Sequence, residues 1–205
     1  MKKYILYRII SILGITASGF IFAGWADNPD EIIRFAENVK TVRAEFVQEK
    51  HLKILSKPLL SKGVLYYQAP KSLRWEYLSP VRNVLIMRDN SVRRYIVRDN
   101  KIIEDSSANL QAMQIVFGEI VSWIQGRFFD HPHFITEIKE GGKIVLIPKS
   151  ASFSKMIHKI ELTLSQRPGI LKSVLIYEDE NSFTKLEFKN AELNPELNRS
   201  LFKEI

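Results

Sequence analysis

The 205-residue chain has no cysteine. That excludes disulfide scaffolds, cysteine zinc sites, iron–sulfur clusters and cysteine nucleophiles. It also leaves no cysteine to carry an N-terminal acyl anchor. Signatures of common catalysis are missing too: there is no Gly-x-Ser-x-Gly, no His-Glu-x-x-His and no glycine-rich phosphate cradle. Low-complexity tracts, an obvious repeat and an interdomain linker are likewise absent, so one domain is expected over 27–205. Hydrophobic residues make up 45% and charged residues 26%. These are ordinary globular fractions, unlike those of collagen-like, disordered or multi-span membrane chains.

Acidic residues are lacking at the start of the chain. Residues 1–26 hold Lys2, Lys3 and Arg8 and no acid. An uncharged apolar run follows from Ile9 to Phe22, then the small residues Ala23, Gly24 and Ala26. This is the pattern of a secretory signal, with cleavage expected after Ala26. An uncleaved anchor is the alternative, but Ile9 to Trp25 falls short of the ~20 apolar residues of a span. Without the segment the chain keeps 27 basic against 23 acidic residues. Export to a bacterial periplasm is expected, and nucleic acid is not expected as a partner.

Asn28-Pro29-Asp30-Glu31 reads as a helix start, and Ile32, Phe35, Ala36 and Val39 continue at helical spacing over 29–40. The period then becomes two. Val42, Ala44 and Phe46 alternate with polar neighbours, as do Leu65, Tyr67 and Ala69, and then Leu73, Trp75 and Tyr77. Turn residues at 89–90, 99–100, 141–142, 168–169 and 180–181 divide the rest into short strands, one of them at 156–165 with Met156, Ile160, Leu162 and Leu164 on one side. Only Asn109–Gln125 breaks the series, as a second helix or a broken pair. About ten strands, each with one apolar side, favour one strongly curved antiparallel sheet with an apolar concave side. Two helical segments are too few to cover both faces and are expected inside or across the mouth of the curve.

Val42-Arg43-Ala44-Glu45-Phe46-Val47-Gln48, the strand led by Gly63, and Pro70-Lys71-Ser72-Leu73-Arg74-Trp75 through Pro80 resemble the LolA family of periplasmic lipoprotein carriers. Leu146-Ile147-Pro148-Lys149, Phe183 to Asn190, and Asn194 to Phe202 carry the resemblance to the end of the chain. It implies a mostly β (α+β) fold: an unclosed antiparallel barrel of about eleven strands with a helical lid. It further implies a monomeric, non-enzymatic carrier without a cofactor. Its partners would be acylated lipoproteins, an inner-membrane ABC transporter that releases them, and an outer-membrane acceptor lipoprotein. Relatives of the fold carry other envelope lipids or glycolipids, or act as sensor and interaction domains. In the best-known members an Arg that holds the lid shut precedes the first Pro of the Trp segment; here that residue is Ala69.

A carrier of acyl chains needs an apolar concavity and a cover for it. The candidate lining is Leu65, Tyr67, Leu73, Trp75, Leu85 and Met87, and the candidate lid residues are Ile115, Ile120 and Trp123. The same alternation fits ordinary core residues of a filled barrel. Arg82, Arg88, Arg93, Arg94, Arg98 and Lys101 crowd one hairpin region. They read either as a solvated face or as a docking surface for an acidic partner or for anionic lipid headgroups, with Arg93 and Arg94 as the candidate docking residues. His131 and His133 lack a third ligand at a metal-site spacing, and Glu178-Asp179-Glu180 reads as a solvated turn.

Overall fold

A computed structural model describes residues 29–89, 91–99, 101–105, 110–128, 133–167 and 169–203. The expected signal segment lies outside them. Helix α1 (Pro29–Glu37) leads into strands β1 (Thr41–His51), β2 (Leu59–Gln68), β3 (Ser72–Ser79), β4 (Asn83–Arg88), β5 (Ser91–Arg98) and β6 (Lys101–Asp105). Helix α2 (Leu110–Ile124) follows, then β7 (Phe134–Lys139), β8 (Lys143–Pro148), the one-turn α3 (Ala151–Ser154), β9 (Lys159–Leu164), β10 (Leu171–Tyr177), β11 (Phe183–Leu193) and a closing 3-10 turn (Arg199–Phe202). No described helix is long and apolar enough to cross a membrane.

The strands form one eleven-stranded sheet in the order β6-β5-β4-β3-β2-β1-β11-β10-β9-β8-β7. Every neighbouring pair is antiparallel. β6 and β7 do not pair, so the sheet stays open. The β1–β11 contact joins the first strand to the last and fuses two hairpin series into one surface.

Register explains the alternation. Ala44, Leu65, Trp75 and Leu85 stand opposite one another in a row across β1–β4, and Val42, Tyr67, Leu73 and Met87 form the next row. These rows share one buried cluster with Ile32 and Val39 from the α1 segment, Phe117, Ile120, Val121 and Trp123 from α2, and the inward residues of β7–β11. Both helices therefore cover the same face. Gly63 sits where a side chain has no room: a Cβ there would overlap Glu76 O and the Phe46 ring, and Phe46 is its cross-strand partner.

Two sequence expectations need correction, and one polar strand face is found covered. α1 stops at Glu37, where Asn38 and Val39 turn back onto Phe35 O and Ala36 O, and Phe35 is 41% exposed rather than part of the core face. Met156 is not in a strand; it follows α3 and is 50% exposed, while β9 starts at Lys159. The polar side of β3 is not solvated: Arg74 and Glu76 are only 9% and 7% exposed. The 3-10 turn covers them, with Arg74 donating to Leu201 O at 3.1 Å. Glu76 accepts from Arg74 at 2.8 Å and from Arg82 at 3.0 Å, so the buried carboxylate is paired on both sides. Val84, Ile86 and Tyr95 form a small second core on this outer face.

Candidate functional site

Between the helices and the middle of the sheet lies a hollow of roughly 630 Å³, a volume that includes space open to solvent. α1 contributes Ile32 and Ala36, α2 contributes Ile120, Trp123 and Ile124, and Phe128 follows it. The floor comes from Val42 and Ala44 of β1, Leu65 of β2, Phe188 and Leu193 of β11, and the β9–β10 connection with Leu164, Ile170 and Leu171. The small side chains at Ala36, Ala44 and Ala191 leave the space that larger ones would fill. The lining lacks the several polar groups that orient a small polar ligand.

Of the expected lining residues, Leu65 borders the hollow directly, and of the expected lid residues Ile120 and Trp123 do. Tyr67, Leu73, Trp75, Leu85 and Met87 are buried in the same cluster but packed against other side chains. Trp75 stacks on Phe117 of α2 with ring centroids 6.0 Å apart and lies 4.3 Å from the Phe46 ring. Ile115 belongs to α2, but its side chain lies outside those described. Sequence reasoning misses the wall formed by β9, β10 and β11 as lining. Its signal is present, since Leu164 and Phe188 stand on apolar strand faces; nothing in the alternation says which of those faces meets empty space.

α2 ends above the β2–β3 turn. Gly126, at φ +70°, closes the helix, with its N–H donating to Trp123 O and that of Arg127 to Ser122 O. A Cβ on Gly126 would come within 2.6 Å of Ala36 Cβ, so this glycine lets the two helices meet. Gln125, one residue earlier, donates through Nε2 to the Tyr67 hydroxyl at 2.9 Å and to Pro70 O at 2.7 Å. The helix end is thus tied to the turn that carries Ala69. Burial pushes the Tyr67 phenol above its ordinary range, against the effect of the Gln125 bond. Burial within α2 also pushes the Glu119 carboxyl up to about 7.

The basic hairpin divides. Arg93 and Arg94 are strand neighbours and face opposite sides of the sheet. Arg93 stands opposite Ile86 on the outer face, with Glu104 3.9 Å away. Arg94 stands opposite Leu85 on the helix-covered face and pairs with Asp105 at 3.2 Å. They do not form one surface. In the acidic turn, Glu178 accepts from Lys50 at 2.9 Å, and Asp179 accepts from the N–H groups of Asn181 and Ser182 at 2.7 Å. Those bonds hold Asp179 below its usual range and give the turn a structural role. His131 lies outside the described residues, and the His133 ring stacks near Phe153 at 6.0 Å. Among the described residues no three His, Asp or Glu side chains are grouped to hold a metal.

The model of the family described as outer membrane lipoprotein carrier protein LolA matches residues 37–204. Outer-membrane lipoprotein carrier proteins of Helicobacter pylori strains J99 and 26695 are 23% and 22% identical over 183 residues, covering 89% of this chain and 86% of theirs. Among solved structures, an uncharacterized conserved protein from Thermus thermophilus superposes with a TM-score of 0.51 at 11% identity, covering 86% of this chain and 93% of its own. The Pseudomonas aeruginosa MucA/MucB complex gives 0.50 at 12% identity, covering 87% of this chain and 60% of the other. These structures share the fold. With an open eleven-stranded sheet, helices on one face and a family match over most of its length, this chain belongs to the LolA family of outer membrane lipoprotein carrier proteins.

Proposed function

We propose that the protein is a non-enzymatic periplasmic carrier that shelters the acyl chains of lipoproteins and moves them from the inner to the outer membrane. The observation that carries this reading is the hollow itself, bounded by aliphatic and aromatic side chains and roofed by α2. Each methylene moved into water costs about 0.8 kcal/mol, so a multiply acylated cargo crosses an aqueous gap only inside a cover.

In this reading the hollow is the entry site, and α2 with Ile115, Ile120 and Trp123 is the lid. Tyr67, Leu73, Trp75, Leu85 and Met87 lie beneath or beside it and join the lining when it lifts. Lifting costs the two bonds of Gln125 and the apolar contacts of α2, the Phe117–Trp75 stack among them, which a bound fatty chain replaces with its own. Gln125 takes the tethering role that Ala69 lacks the atoms to perform. Residues 1–26 direct export. An ATP-driven inner-membrane transporter loads the carrier, and an outer-membrane acceptor lipoprotein unloads it.

The test is release from membranes. Energised inner-membrane vesicles bearing a radiolabelled lipoprotein are incubated with the purified protein, and the soluble fraction is assayed for a one-to-one complex. Soluble cargo supports the reading. Cargo that stays in the membrane while the protein extracts phospholipid or glycolipid assigns the hollow to another envelope lipid.

A further inference from the structure

Half of the large apolar side chains left exposed among the described residues belong to the β1–β2 hairpin and the neighbouring β3–β4 turn. Both lie at the end of the sheet away from the hollow. The hollow takes Val42 and Ala44 from the start of β1 and Leu193 from the end of β11, whereas the hairpin turns beyond His51, which pairs with Phe183 at the start of β11. Leu59 and Leu60 are successive residues of β2 and point to opposite sides, yet they are 52% and 57% exposed. Leu65, further along the same strand, is buried. The hairpin therefore leaves the packed body with apolar side chains on both faces. At its turn the Leu55 N–H donates to Leu52 O at 2.9 Å, and Ile54 is 87% exposed. β3 pairs with β2 as far as Lys62 and Ser79, which brings the exposed Leu78 and Val81 beside the same stretch.

Charge indicates what covers this end. Every ionisable residue in 52–62 is a lysine, and Lys53, Lys57 and Lys62 are all exposed; the one in 78–83 is the exposed Arg82. In the acidic turn near the hairpin base, Glu178 accepts from Lys50 and Asp179 from N–H groups of its own turn, so only Glu180 lacks a partner among the described residues. A groove on a protein receives mainly one face of a strand. A tip that is apolar on both faces suits a medium that is apolar on every side, and an anionic bilayer offers that medium beneath a surface that attracts lysines. We propose that the β1–β2 hairpin end, with the β3–β4 turn beside it, is a docking surface for an anionic phospholipid bilayer. Ile54, Leu55, Leu59 and Leu60 enter the boundary between headgroups and acyl chains. The lysine stems run alongside them while the ammonium groups stay at headgroup level. A protein docked in this way keeps its hollow on the aqueous side. The inference is independent of what the hollow carries.

The experiment uses the protein recovered from the soluble periplasmic fraction. It is sedimented with sucrose-loaded vesicles of phosphatidylcholine, or of phosphatidylethanolamine mixed with phosphatidylglycerol. Binding to the anionic vesicles and not to the neutral ones is the expected result. Ile54→Ser combined with Leu55→Ser should weaken it about tenfold or more. Lys53→Gln combined with Lys57→Gln should weaken it by about fivefold per charge at low salt. Because the chain has no cysteine, Ile54→Cys takes up a single polarity-sensitive fluorophore. Its emission should move to the blue on anionic vesicles, while the same label on Phe35→Cys, in α1 beside the hollow, should not respond. No binding, equal binding to both vesicle types, or binding that survives the serine substitutions overturns the proposal. A serine variant that fails in cells although the unaltered protein ignores vesicles overturns it too, and assigns the tip to a protein partner. The carrier reading is decided separately, by release of lipoprotein into a soluble complex, and stands or falls without the hairpin.

Discussion

Gln125 and Tyr67 meet at 2.9 Å across the gap between α2 and the sheet, and the same Gln125 amide reaches Pro70 O at 2.7 Å. These bonds join the far end of the roof to the β2–β3 turn. Gln125→Ala removes both and should lower stability by about 1–2 kcal/mol. The sharper readout is local opening. Amide exchange in the last turn of α2 should accelerate, while exchange in β1 and β11 changes only by the global amount. Tyr67→Phe keeps the Pro70 bond and should show a smaller acceleration. Unchanged exchange in α2 of the Gln125 variant would remove the tether from the account.

Glu119 makes the roof sensitive to pH. Its carboxyl titrates near 7 because burial penalises the charged form, while the unfolded value is the ordinary 4.5. The folded state therefore holds the proton more tightly. The stability this group contributes is present below the unfolded value and is lost as pH rises through about 7. Thermal midpoints should fall between pH 5 and pH 8 on its account. Glu119→Gln, which mimics the protonated form, should raise the midpoint at pH 8 and change it little at pH 5. The same increment at both pH values would show that the carboxyl is not the titrating group.

Much of the fold is legible in the chain, because alternation and turn chemistry are local and the register obeys them. Leu73, Trp75 and Tyr77 read as one face and stand on one face. What alternation cannot carry is the identity of the cover. Arg74 and Glu76 occupy the polar positions of β3, yet they are buried by a turn more than a hundred residues later, through Leu201 O. α3 is four residues capped by Ser150, too short to leave a helical period. Arg93 and Arg94 look like a pair in sequence and are separated by the pleat. The hollow is invisible for a related reason: an apolar strand face has the same pattern whether it meets packed rings, as Trp75 does, or empty space, as Leu65 does.

The outer-face ion cluster predicts an asymmetric mutational response. Glu76 is the carboxylate of both Arg74 and Arg82. Glu76→Ala leaves the buried Arg74 guanidinium with only Leu201 O and should cost about 3–5 kcal/mol. Arg82 is largely exposed, so Arg82→Ala should cost under about 1 kcal/mol. Chemical denaturation of the two variants separates these values. Equal, small losses would mean that the 3-10 turn does not seal the face.

The hollow itself predicts a separation of stability from binding. Ala44 lies in the floor, opposite Leu65, and its methyl borders empty space. In a close-packed core, enlarging alanine forces neighbours apart and typically costs about 1–3 kcal/mol. Where the added atoms enter a void, that strain is absent and new contacts form instead. Ala44→Leu should therefore keep or raise the thermal midpoint while weakening capture of a long-chain acyl probe severalfold. Gly63→Ala, two cross-strand positions away, is the opposite case. It should destabilise the protein by several kcal/mol, because Glu76 O and the Phe46 ring already occupy the space. If Ala44→Leu destabilised the protein as Gly63→Ala does, the floor would be packed and the void would not be there to receive a chain.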